Sequence, residues 1–155
     1  MYTNRPGNRI VSIRLHQSVL YIKLADFDDT LEAPMSTLTL AQARHLIDGA
    51  LAAARQHGFM PMGVVVIDAA AQVVASVRED GASALRLDIA LGKATAAVGM
   101  GANSRVLAQR AKDLPAFFGA VAAASQQTFI PQTGAVLITD AAGAVIGAAG
   151  ASVGT

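Results

Sequence analysis

The side chains able to do chemistry in this chain of 155 residues are few: three histidines, and one short stretch where charge is concentrated. His16, His45 and His57 stand at no metal-ligand spacing from one another or from a carboxylate pair, so no metal centre is expected. His45 is set apart because helical periodicity turns it outward from the core side of its helix. In an oligomer, an imidazole there faces a partner or a shared ligand slot. The charged group comprises Arg78, Glu79, Asp80, Arg86, Asp88 and Lys93. Charged residues are only 15% of the chain, so gathering these six in one region marks it for binding or catalysis. Arg86 and Lys93 lie seven apart and share one helix face, while Asp88 and Thr95 share another. Arg78, Asp80, Lys93 and Thr95 form a ligand-binding set, with Arg78 and Lys93 suited to a carboxylate. Were the protein an enzyme, Asp80 and Asp88 would move protons. The plainer alternative is solvation with local ion pairs, each worth about 0.3–0.5 kcal/mol.

Other chemistries are excluded. With no cysteine there is no disulfide, thiolate zinc site, iron–sulfur cluster or cysteine nucleophile. Gly99-Met100-Gly101-Ala102-Asn103-Ser104 lacks the third glycine of a dinucleotide loop and follows a helix rather than a strand, so it reads as a helix break. A formal net charge of +1 gives no nucleic-acid footprint. The longest stretch without Asp, Glu, Lys or Arg, Leu114 to Thr139, is interrupted by Pro115, Ser125-Gln126-Gln127-Thr128 and Pro131, and does not read as a membrane span. The start of the chain has no apolar run of a signal peptide. A cytoplasmic protein with no nucleic-acid or membrane partner is expected.

The elements that must position these residues follow from periodicity. Val11, Ile13 and Leu15 alternate as a strand, a second strand runs from Val19 to Leu24, and an acidic connector from Asp26 to Pro34 follows. Together residues 1–36 read as an N-terminal extension before a domain at 37–155. Thr39 and Gln42 form a capping box for a helix that buries Leu40, Ala43, Ile47, Ala50, Leu51 and Ala54 and ends near Gly58. Met62 to Ile67 and Val73 to Val77 flank Asp68-Ala69-Ala70-Ala71-Gln72 as a hairpin, and the pattern recurs at Leu137 to Ile146. In the second copy Gly143 supplies the positive φ of a tight turn. Ala71 holds that place in the first, which predicts a different turn geometry there. Between the hairpins Ser83 is expected to cap a helix from Ala84 to about Val98, Asn103 or Ser104 a second one, and Pro115 opens a third. Phe117, Phe118, Phe129 and Met100 either pack in the core or line an apolar slot. The fold class is α+β: a single layered domain with a central antiparallel sheet flanked by helices. Alanine-rich helix faces predict a homo-oligomer.

The ordered pieces Leu38-Thr39-Leu40-Ala41-Gln42-Ala43, Gly63-Val64-Val65-Val66-Ile67-Asp68, Arg78 with Asp80-Gly81-Ala82, Asp88-Ile89-Ala90, Lys93-Ala94-Thr95-Ala96-Ala97 and Gly143-Ala144-Val145-Ile146-Gly147-Ala148 resemble the GlcG/HbpS-like haem-binding proteins, which also form the C-terminal domain of PduO-type proteins. The resemblance implies a profilin-like arrangement, homo-oligomers, and haem or another tetrapyrrole as ligand, with His45 the candidate iron ligand and Arg78 or Lys93 facing propionates. It also leaves an alternative: a small-molecule enzyme of a catabolic operon acting on an organic acid or aromatic ring-cleavage product. The chain departs from the family pattern at Thr133-Gly134-Ala135-Val136-Leu137, where relatives carry a Gly-Gly-Val-Pro-like stretch, and at Ala70-Ala71, where they carry Gly-Gly or similar.

Overall fold

Alternating apolar residues near the start form strand β1 (Arg9–Leu15), which pairs antiparallel with β2 (Ser18–Leu24) as a two-stranded sheet of its own. The structure is a computed structural model describing residues 9–15, 18–24, 37–125 and 128–154; His16 and the acidic connector lie outside the described residues. Helix α1 (Leu40–Gln56) opens on the expected capping box. The Thr39 hydroxyl accepts from the Gln42 amide at 3.2 Å, and the Gln42 side chain accepts from the Thr39 amide at 2.8 Å.

The two apolar repeats become two hairpins that share one sheet. Strands β3 (Met62–Asp68) and β4 (Val73–Arg78) form the first. Helices α2 (Arg86–Met100), α3 (Ser104–Asp113) and α4 (Pro115–Ala124) follow, and β5 (Ala135–Thr139) with β6 (Val145–Val153) form the second. β3 and β6 join the hairpins, giving the antiparallel order β4-β3-β6-β5. The β3 run is apolar throughout because both its faces are covered: Val64 and Val66 pack with Leu46, Ile47 and Ala50 of α1, while Val65 and Ile67 pack with Ala90, Ala94 and Ala97 of α2.

Three sequence expectations are corrected. The turns at residues 68–72 and 140–144 have the same geometry, not different ones. Asp68 Oδ1 accepts from the amides of Ala70 and Gln72, as Asp140 Oδ1 does from Ala142 and Ala144, each at 2.9 Å. Ala71 adopts φ 61° where Gly143 has φ 86°. The aspartate's two bonds hold the chain in a conformation its alanine does not favour. Helix α2 begins at Arg86, not Ala84, with no side-chain cap; Ser83 instead accepts through its carbonyl from the Arg86 amide. Asn103 and Ser104 do not cap α3 with their side chains. They bind strand β5: Ser104 Oγ donates to the Ala135 carbonyl at 2.7 Å and accepts its amide at 2.8 Å, while Asn103 Oδ1 accepts from the Leu137 amide at 2.8 Å. β5 ends the sheet, and these bonds cover backbone groups that an edge strand leaves open.

The alanines of α2 serve the interior, not a partner copy. Ala90, Ala94, Ala96 and Ala97 are fully buried within the chain. Small residues let the helix lie almost on the sheet: a Cβ at Gly150 would stand 2.1 Å from the Ala90 carbonyl oxygen. The alanine-rich helix left outside is α4, which has no charged residue and buries only Phe118.

Candidate functional site

Helix α2 divides the candidate residues between its two flanks, because at roughly 100° per residue Thr95 lies about 200° around the axis from Lys93. On the Thr95 flank is an apolar cleft of about 560 Å³, within the usual size of small-molecule sites. Its walls come from three distant segments. The β3–β4 turn contributes Ala69, Ala70 and Ala71; α2 contributes Thr95, Gly99 and Met100; α4 and the segment after it contribute Val121, Ala124 and Phe129. Thr95 is nearly buried, and its Oγ1 has no hydrogen-bond partner among the described residues. A buried hydroxyl without a partner is costly and is relieved by a polar atom arriving from outside. Of the four residues expected to line a slot or pack inside, Met100 and Phe129 line the cleft. Phe118 packs in the core with Ala96 and Leu107, and Phe117 is half exposed.

On the other flank Arg86 and Lys93 face strand β6. Arg86 Nη1 donates to Ser152 Oγ at 3.4 Å, and Lys93 Nζ donates to the Ala151 carbonyl at 3.3 Å. Both side chains are partly buried. Burial, and then the charge of Arg86, hold the Lys93 ammonium below its ordinary pKa of 10.5. Arg86 sits over Gly63, where an added Cβ would meet the Arg86 backbone at 2.8 Å. Gly63 is in register with Arg78 on β4 and with Ser152 on β6, so these three positions form one row on the α2 face of the sheet.

The remaining candidates are scattered. Arg78 stands at the far end of β4 from the cleft-forming turn and donates from Nη1 to the Ala82 carbonyl. Asp80 and Asp88 are exposed. Glu79 is structural: its Oε2 accepts from the Met62 amide at 2.8 Å and from Arg55 at 3.0 Å, tying α1 to the end of the sheet. His45 is exposed on α1, which covers the opposite face of the sheet from α2 and the cleft. Thus the structure unites Thr95 with the cleft and Lys93 with Arg86, but one chain does not bring His45, Arg78, Asp80 and Thr95 to a single point. Sequence reasoning left Arg86 out of the ligand-binding set; its seven-residue spacing from Lys93 was the signal.

The sheet order, the helix against each face and the cleft beside α2 can now be set against known proteins. A family model described as haem degrading protein HbpS-like matches residues 38–155. The chain belongs to the HbpS-like family. Solved structures of HbpS-like fold agree. A double mutant of HbpS from Streptomyces reticuli is 26% identical, with 83% of this chain and 82% of that chain covered and a TM-score of 0.66. A PduOC:haem complex is 23% identical, covering 77% and 85%, with a TM-score of 0.67. The ORFY protein of Klebsiella pneumoniae is 22% identical, covering 83% and 87%, with a TM-score of 0.68. No curated protein matches the chain in sequence. Among the described residues no helix is long and apolar enough to cross a membrane.

Proposed function

We propose that this HbpS-like chain binds haem in the cleft between the β3–β4 turn, α2 and α4. The observation that carries the reading is the cleft itself: an apolar concavity of about 560 Å³ with one unpartnered buried hydroxyl, at Thr95. The family's description and the haem complex of a protein with the same fold support the choice of ligand. Ala69, Ala70, Ala71, Met100, Val121 and Phe129 would hold the macrocycle by apolar contact and exclude water from it. Haem, when bound, supplies an iron able to take an axial ligand and to change redox state.

Among the described residues no histidine lines the cleft, and His45 stands on the other side of the sheet. The iron ligand we propose is His45 of a second copy, since its outward position lets it reach a neighbour, which makes haem binding depend on self-association. Helix α4 offers the surface for it: apolar all round, with Phe117 51% and the preceding Leu114 56% exposed, it leaves uncovered what such a helix ordinarily buries.

Titration of the apoprotein with haemin tests this reading. A saturable Soret change is expected, together with a particle mass in light scattering above that of one chain. His45→Ala should keep the cleft but lose the spectrum of an imidazole-ligated iron. A Soret band that never saturates refutes haem as the ligand, and a spectrum indifferent to His45→Ala refutes His45 as its ligand.

A further inference from the structure

The flank of α2 opposite the cleft holds two cations that no acidic side chain among the described residues neutralises. The only salt bridge among the described residues is Arg55–Glu79, so neither Arg86 nor Lys93 has an acidic partner there. Asp88 lies on the same helix but about 200° around it from Arg86, and is exposed. What Arg86 and Lys93 have instead are long bonds to neutral groups, the Ser152 hydroxyl at 3.4 Å and the Ala151 carbonyl at 3.3 Å. Arg86 Nε is buried with no hydrogen-bond partner among the described residues. Two like charges half withdrawn from water cost free energy, and a neutral side chain would support β6 equally well. On its inner side the lysine is held closely: a Cβ placed at Gly134, at φ 116°, would stand 2.7 Å from the Ala151 carbonyl oxygen and 3.1 Å from Lys93 Nζ, so only the solvent side of the pair is open.

We propose that Arg86 and Lys93 form an oxyanion-binding site, taking the carboxylate or phosphate group of a small molecule on the solvent side of the α2–β6 seam, where both side chains are partly exposed. The guanidinium offers the N–H groups at its outer end in a fixed planar geometry, which suits an anionic oxygen pair, and the ammonium adds a point charge. The Ala151 carbonyl, an acceptor, keeps its bond from Lys93. Arg78, in the same row of the sheet as Gly63 and Ser152, adds a third cation at this end of the molecule. The site is separate from the cleft and does not rest on haem binding.

The test is the thermal stability and calorimetric binding of the whole chain in inorganic phosphate and in succinate, each against sodium chloride at equal ionic strength. A saturable rise in Tm with at least one of the two anions is expected, and their relative strength distinguishes phosphate from carboxylate. Lys93→Met should raise Tm in chloride, because it removes a buried charge, and abolish the response to the anion. Arg86→Lys, which keeps the charge but not the fork, should weaken binding by roughly tenfold to a hundredfold. If Lys93→Met does not fold, Arg86→Lys alone decides. A wild-type Tm that is the same in phosphate, succinate and chloride overturns the proposal, as does an anion response that survives in the folded variants unchanged.

Discussion

Replacing Ala71 by glycine should stabilise the protein, although glycine elsewhere usually does the reverse. Ala71 is the only non-glycine residue at positive φ among the described residues, and it sits in a turn whose hydrogen bonds match those around Gly143. An L-residue in the left-handed region costs about 1–2 kcal/mol. Glycine removes that cost but brings back about 0.4–1 kcal/mol of chain entropy in the unfolded state. The net gain is roughly 0.5–1 kcal/mol, or about 1–4 °C in Tm for a chain of this size. Gly143→Ala is the mirror experiment: nothing lies within 4 Å of an added Cβ, so only the backbone cost is incurred, and Tm should fall by a similar amount. The assay is reversible thermal unfolding followed by circular dichroism, with both variants and their combination. Loss of stability in Ala71→Gly, or a Gly143→Ala variant as stable as the parent, would show that the two turns are not equivalent and refute the reasoning. Ala71 also contributes to a wall of the cleft, so a methyl group retained at some conformational cost fits strain held at a binding site.

Two more outcomes follow from the same geometry. Ser104→Ala removes both bonds that the buried hydroxyl makes to Ala135, leaving an amide and a carbonyl unpaired, and should cost about 2–3 kcal/mol in urea unfolding; a loss well under 1 kcal/mol would mean water takes over those bonds. Burial and Arg86 lower the Lys93 pKa in the folded chain, so the unfolded chain holds that proton more tightly, and stability should rise with pH between the lowered value and 10.5. Lys93→Met should flatten that rise in unfolding free energies measured across the alkaline range, and an unchanged slope would contradict the assignment.

What the residues disclosed in advance was whatever depends on neighbours along the chain. The capping box at Thr39 and Gln42, the outward position of His45 and the paired aspartate hairpins are local patterns, and each stands in the structure as read. The turn at Ala71 was misread because residue type records what a backbone prefers, while two bonds to Asp68 decide what it adopts. Asn103 and Ser104 carry a helix-start signature, yet an edge strand distant in sequence claims both side chains. The alanines pointed to self-association because composition does not say which partner a flat face meets; for α2 that partner is β6. The cleft was beyond periodicity altogether, since its walls come from the turn at 69–71, the end of α2, and α4 with Phe129. Thr95 was in the ligand-binding set, but only the fold separates it from Lys93, two residues away, and gives each its own flank.

The central claim, haem in the cleft beside α2, is tested most directly by filling that cleft without disturbing the core. Gly99 lines it, and nothing lies within 4 Å of a Cβ added there, so Gly99→Phe places a ring in the cleft while giving the helix a better former than glycine. Equilibrium titration with haemin, followed at the Soret band, should give a saturable signal for the parent chain and none for a fully folded Gly99→Phe. Equal haemin affinity in the two proteins would contradict the account.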